Sequence, residues 1–242
     1  AEIDKEPLKK QAYHLELTPT VISITANASA GLFYGVQTLL QLSKAGAARA
    51  TLPVGDVLDW PDLSLRFIYW DDAHHLERLG ALKQAVRQAA YFKINGLALK
   101  LEGHFDYASA KAIVEPYAYS PEQYQELTDY ALRHHVQLIP YLDAPAHVSF
   151  ILKHPEYAHL RAFANSNYEF SVVNPGTQVL LNRMTDDLIA ANKGGKYFLL
   201  STDEAYYVGK PDNEKDSARA LGSNGRLLAS FVTALSNKLH EK

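Results

Sequence analysis

The 242-residue chain has no cysteine, which excludes disulfides and thiolate chemistry and argues against a structural zinc site. Long apolar runs are also missing. None approaches the roughly 18 to 20 residues that a membrane-spanning helix needs, and the given residues include no signal-type segment. A start at Ala1 rather than Met is expected of a processed mature form or of a piece cut from a longer protein. There is no excess of one charge: 24 Lys and Arg against 27 Asp and Glu leave a formal net charge of -3. This gives no electrostatic reason to expect nucleic acid or an anionic membrane as partner, and a neutral small substrate fits better. No Gly-rich, phosphate-cradling loop follows a strand-like run, which disfavours nucleotides. What the chain has in quantity is tyrosine, 15 against two tryptophans, suited to sugar-facing walls and equally to packing. Apolar residues at 47% and charged residues at 21% are ordinary globular usage and exclude a disordered chain.

After a polar lead from Ala1 to Lys10, Tyr13 to Thr18 and Val21 to Thr25 alternate at period two around Pro19-Thr20, the pattern of a β-hairpin. Ser29 is placed to cap a helix from Ala30 to about Ala45, in which Leu32, Val36, Leu39 and Leu40 recur at helical spacing and Gly46 lies near the end. Thr51 to Val54 reads as a strand closing this small α+β module. Beyond Trp60-Pro61-Asp62, short apolar runs alternate with amphipathic helices, the grammar of an α/β fold built on a parallel sheet or barrel. Four units are predicted, with strands Leu65 to Trp70, Gly96 to Leu101, Gln137 to Tyr141 and Tyr197 to Leu200. Their helices are Leu79 to Tyr91, Pro121 to His134, Thr177 to Ala191 and Ser223 to Lys238. Ser120-Pro121-Glu122-Gln123 has the residues of a capping box. The longer insertions, Asp71 to Arg78, Glu102 to Tyr119, Leu142 to Gly176 and Ser201 to Gly222, all follow strands, where ligands bind in such folds. Four units are half of a closed eight-unit barrel, which takes about 250 residues.

The strongest local signal is Lys196 to Tyr207, an apolar strand running into Asp203-Glu204 and then Tyr206-Tyr207. Adjacent side chains on a strand point to opposite faces, so two cooperating acids must sit where the strand breaks into its loop. On their own these acids fit solvated loop or helix-cap positions better than catalytic ones. The pairs His74-His75 and His134-His135 lack zinc-ligand spacing, and the second pair reads as a helix end where a cation suits the dipole.

Ala30 to Leu39, followed by Asp59-Trp60-Pro61-Asp62 and Arg66, resembles the junction between the accessory domain and the barrel in β-N-acetylhexosaminidases of glycoside hydrolase family 20. Pro140 to His147 resembles that family's third-strand motif and Lys196 to Tyr207 its fourth-strand Asp-Glu motif. Phe150 to Arg161 and the Asp-Glu-x-Tyr-Tyr ending are similar to the hexosaminidase D branch. The resemblance implies a small α+β accessory domain over residues 1–62 and the first four units of a TIM-type (β/α) barrel over 63–242. It also implies a retaining reaction in which the substrate's own acetamido oxygen attacks the anomeric carbon, with no metal or organic cofactor.

By the same resemblance, Glu204 protonates the leaving oxygen and Asp203 accepts the acetamido N–H. Burial beside a second carboxylate is expected to keep Glu204 protonated. His147 helps to position the pair, with Asp143 as its neighbour, while Tyr206 and Tyr207 wall the sugar or pack behind it. His74 stands where the family usually has a sugar-gripping arginine. Asn95 to Phe105 carries Ala98, Lys100, Gly103 and His104 in place of the usual histidine and acids, and Leu199 and Ser201 replace a common His and Gly. The implied partner is an N-acetylhexosamine-containing glycan. The open strand edges predict a homo-oligomer or a missing second half of the barrel, and the chain is expected to be inactive alone. Two other readings stay open: a non-catalytic glycan-binding member of the fold, and a barrel glycosidase of another family.

Overall fold

The computed structural model describes residues 6–45 and 50–242, and these divide into two compact units. The first comprises Ala1–Ile68, Gly80–Leu97 and Tyr130–Gln137. Within the lead, Glu6–Lys9 form a short helix α1, and the predicted hairpin is present as β1 (Tyr13–Leu17) and β2 (Ile22–Ala26). Leu17 lies opposite Ile22, and Thr18 Oγ1 accepts the Val21 N–H at 2.9 Å to close the turn. Every second residue of β1 is buried, so Tyr13, Leu15 and Leu17 meet Tyr34 in the unit's core. Tyr34 comes from helix α2 (Ser29–Leu42). Gly31 lets that helix sit close: a Cβ there would run into the Ala12 carbonyl.

Two expectations need correction. Ser29 is the first residue of α2, and its N-cap is Ala28 without a side-chain hydrogen bond. The strand expected over Thr51 to Val54 is only the pair β3 (Lys44–Ala45) and β4 (Ala50–Thr51), and Gly46 lies outside the described residues. The strand that completes the sheet is β5 (Gly55–Asp59), antiparallel to β1 in the order β2-β1-β5. It ends at Asp59, whose Oδ2 is 2.6 Å from the Tyr13 hydroxyl and 2.9 Å from Lys93 Nζ.

The second unit comprises Tyr69–Leu79, Ala98–Asp129 and Leu138–Lys242. The four predicted strands form one sheet in chain order: β6 (Phe67–Asp71), β7 (Gly96–Lys100), β8 (Gln137–Asp143) and β9 (Leu199–Ser201). β8 and β9 pair in parallel, with Asp143 opposite Ser201. The four predicted helices are α3 (Leu79–Tyr91), α4 (Pro121–Arg133), α6 (Pro175–Ala190) and α8 (Asn224–His240), with the short helix α5 (Ser149–Leu152) in the long loop after β8. Ser120 Oγ accepts the Gln123 N–H at 3.2 Å and Gln123 Oε1 accepts the Ser120 N–H at 2.9 Å, so the capping box forms. His134 follows α4 and its Nδ1 lies 2.8 Å from the Tyr130 carbonyl, a donor at a helix end. Phe105, Tyr107 and Tyr124 pack edge-on in the core, with ring centres 4.9 and 5.6 Å apart. The stretch Ser201 to Gly222, expected to be loop, contains an additional helix, α7 (Asp212–Leu221), closed by Gly222 at φ 92°. Among the described residues, no helix is long and apolar enough to cross a membrane.

Candidate active site

The carboxyl ends of the four strands bring one layer of side chains together. Tyr69 on β6, Lys100 at the end of β7, Tyr141 and Asp143 on β8, and Leu199 on β9 line a cleft of about 260 Å³ with His147 and Asp203. Tyr141 and Asp143 share a face because they are two residues apart on one strand. The Tyr141 hydroxyl donates to Asp143 Oδ1 at 2.9 Å, and Lys100 Nζ lies 2.8 Å from Asp143 Oδ2 and 3.1 Å from Glu102 Oε1. Burial alone would lower the Lys100 pKa, but the hydrogen bonds and charges of Asp143 and Glu102 hold it well above the usual lysine value. Burial, joined by the negative charges of Asp71 and Asp143 and opposed by Lys100, pushes the Tyr69 hydroxyl up to about 12.

β9 stops at Ser201, two residues short of the acids, as the alternation argument requires. His147 Nε2 then lies 3.3 Å from Glu204 Oε2 and 3.6 Å from Asp203 Oδ2. The Tyr206 hydroxyl donates to Glu204 Oε1 at 2.8 Å, and that of Tyr168 donates to the Glu204 carbonyl at 2.9 Å, 3.5 Å from His147 Nε2. The Tyr168 and Tyr206 rings stack at 16°. Burial, reinforced by the charge of Glu204, pushes the Tyr168 hydroxyl up to about 12. His147 and Glu204 both hold left-handed backbone, at φ 57° and 50°, and Glu102 does so at 48°. Non-glycine residues pay about 1 to 3 kcal/mol for such conformations, which cluster at functional sites.

A strap over residues 168–172 holds the two loops that carry His147 and the acids. Val148 N donates to the Tyr168 carbonyl at 3.3 Å and Phe170 N to that of Pro145 at 2.9 Å, and Ala146 bridges Glu169. From the same strap the buried Glu169 accepts the Tyr207 N–H on Oε2 at 2.8 Å. Glu214, buried on α7, accepts Ser171 Oγ and Val172 N on Oε1 at 3.0 and 2.9 Å, and Gly209 N on Oε2 at 2.8 Å. Burial first, and then the charge of Glu214, raises the Glu169 carboxyl to about 7 against the hydrogen bonds that lower it.

The structure departs from several expectations. Asp203 and Glu204 are 69% and 48% exposed, so the residues present do not supply the burial expected around Glu204. Asp143 is held by Lys100 and Tyr141, with His147 in the same cleft. His74 does not line the cleft: Asp71 Oδ1 accepts the N–H groups of Ala73 and His74, an Asx-type turn that leaves the His74 ring exposed, with Nδ1 at 2.7 Å from Asp71 Oδ2. Tyr206 meets Glu204, whereas the Tyr207 ring packs edge-on against Phe163 and Tyr168. The sequence reading missed the parts played by Tyr69, Tyr141, Tyr168, Glu169 and Glu214. Lys100 was detectable as the one charge in the apolar run Gly96 to Leu101, while Tyr168 and Glu169 lie in a loop without periodicity.

The family model described as glycosyl hydrolase family 20, domain 2, matches residues 1–60, and the one described as glycosyl hydrolase family 20, catalytic domain, matches residues 99–206. Hexosaminidase D of Bos taurus is 24% identical over 176 residues, which cover 69% of this chain and 51% of that protein. The β-N-acetylhexosaminidase of Cellulomonas fimi is 27% identical over 245 residues, covering 89% of this chain and 47% of that protein. The chain thus spans about half the length of these curated relatives. The crystal structure of the Flavobacterium johnsoniae chitobiase superposes with a TM-score of 0.82 at 22% identity, over 96% of this chain and 38% of that one, and so shares its fold. With an accessory sheet, a four-unit parallel sheet and both matches drawn from one family, the chain belongs to glycosyl hydrolase family 20.

Proposed function

We propose that this chain supplies the acid-bearing part of a retaining β-N-acetylhexosaminidase that removes terminal N-acetylhexosamine from glycans. In this reading residues 1–62 form the accessory domain and 63–242 the first half of the barrel. The observation that carries it is the convergence of Asp203 and Glu204 on His147 Nε2, at 3.6 and 3.3 Å, just past the end of β9. Glu204 delivers its proton to the glycosidic oxygen as the C1–O bond breaks. The acetamido oxygen of the same sugar closes on C1, so no carboxylate has to serve as nucleophile. Asp203 accepts the acetamido N–H and stabilises the positive charge of the resulting oxazolinium ring. Water opens that ring at C1 and returns a proton to Glu204. His147 bridges the two carboxylates, and the Tyr206 hydroxyl fixes one Glu204 oxygen. Tyr69 and Tyr141 offer the cleft an aromatic wall. The outer edges of β6 and β9 call for either the second half of the barrel or another copy of the chain, and sedimentation of the 242-residue chain distinguishes the two.

The test is turnover of a chromogenic β-N-acetylglucosaminide by the protein at its natural length. Glu204→Gln is expected to lower kcat by about 10² to 10⁴-fold with folding intact, and sugars lacking the 2-acetamido group should scarcely react. An unchanged rate in Glu204→Gln refutes the assignment. Lys100, in the second-strand segment where the family pattern has a histidine and acids, pairs with Asp143 and favours a second reading in which the cleft binds glycans without cleaving them. That reading predicts retention of N-acetylglucosamine with no turnover.

A further inference from the structure

Two buried carboxylates lie behind the exposed acids, and the proposed chemistry uses neither. Glu169 and Glu214 come from different segments, the strap after β8 and helix α7, yet both accept backbone N–H groups from the loop that carries Asp203 and Glu204. They take Tyr207 N and Gly209 N, three and five residues beyond Glu204. Gly209 itself holds left-handed backbone at φ 75°. Each carboxylate also ties that loop to the strap. Glu169 does so through its own backbone, which bridges Ala146 beside His147, and Glu214 through Ser171 and Val172. A backbone N–H that loses its bond to a buried carboxyl oxygen is left unsatisfied, which makes such bonds costly to break. Surface loops seldom receive two of them, because each carboxylate must give up its hydration to be there. The loop they hold is under backbone strain at Glu204, and the surroundings must impose that conformation.

We propose that Glu169 and Glu214 are positioning residues, a two-point clamp that sets the acid loop against the His147 loop and so fixes the spacing of Asp203, Glu204 and His147. The role rests on the function proposed above. It acts through backbone, and neither side chain touches the substrate. Of the two, Glu169 is the cleaner probe. Its Oε1 is buried without a hydrogen-bond partner among the described residues, and Oε2 takes the Tyr207 N–H, with the Val208 backbone also acting on the carboxyl. Glutamine supplies the same acceptor through its amide oxygen, and alanine supplies none.

The experiment pairs native-state hydrogen exchange with kinetics on the protein at its natural length. In the wild type the Tyr207 and Gly209 amides are expected to exchange far more slowly than those of exposed loops. Glu169→Ala should speed exchange over residues 203–209 and lower kcat by about 10²-fold, the cost of misplacing a reacting group by about 1 Å, with KM changed less than kcat. Glu169→Gln should restore slow exchange and bring kcat back to within a few fold of wild type. Unprotected Tyr207 and Gly209 amides in the wild type overturn the proposal without any variant, which covers the case in which Glu169→Ala fails to fold. Wild-type kcat in a folded Glu169→Ala also overturns it while leaving the hexosaminidase reading in place. Absence of turnover in the wild type refutes the hexosaminidase reading instead, and the exchange data then still decide whether the clamp exists.

Discussion

At the scale of single residues, Lys100 is the buried charge on which most depends, because it neutralises Asp143 and Glu102 at once. Removing one partner of a buried pair leaves the other uncompensated, at a cost of about 3 to 5 kcal/mol. Lys100→Met is therefore expected to lose stability on that order in urea unfolding, and adding Asp143→Leu should recover much of the loss. Two other carboxyls make stability fall as pH rises, opposed by His135, whose pKa burial lowers. Burial raises Asp72 to about 6, and burial with the nearby Glu214 charge raises Glu169 to about 7. Acids with raised folded pKa values keep protons that the unfolded chain has released, so stability is greatest below the unfolded values, near pH 4, and falls as pH climbs towards 7. Each group contributes a slope of at most about 1.4 kcal/mol per pH unit, with no further loss above its folded value. Asp72→Asn with Glu169→Gln should remove that fall from unfolding midpoints measured between about pH 4 and 8, leaving the opposite rise with pH that the lowered pKa of His135 contributes.

Among the elements, those that announced themselves are those whose signals are local. Helix α4 begins where Ser120 and Gln123 exchange hydrogen bonds, and Ser120→Ala is expected to cost about 1 kcal/mol in thermal unfolding. Strands β7 and β8 were legible as apolar runs because the sheet buries them almost throughout. β5 escaped notice because Gly55 to Asp59 carries two acids and is mostly exposed. Helix α7 escaped because it buries only Glu214 and Ala218, too little to make an apolar stripe. Its end was marked all the same: Gly222 sits at φ 92°, and a would-be Cβ there meets only the Arg226 side chain, at an ordinary contact distance of 3.4 Å. Gly222→Ala should therefore lose about 1 kcal/mol from backbone conformation alone. The acid pair could be read from the sequence because a strand end and two adjacent carboxylates are contiguous. Lys100, Tyr168 and Glu169 reach the site from separate segments, and only the folded topology brings them there.

For the molecule as a whole, the accessory unit and the four-strand sheet account for the described chain, but the acids stand open to water. A general acid this open to water gains little from electrostatic preorganisation. The 242-residue chain by itself is accordingly expected to hydrolyse a chromogenic N-acetylglucosaminide no faster than buffer, and turnover at enzyme-like rates would show that these residues suffice. The left-handed backbone at Glu204 bears on how such a protein responds to selection. Glycine relaxes that conformation at no steric cost. A library screened only for heat tolerance would therefore enrich Glu204→Gly, yielding sturdier molecules stripped of their proton donor. Endurance and chemistry compete at that one peptide unit.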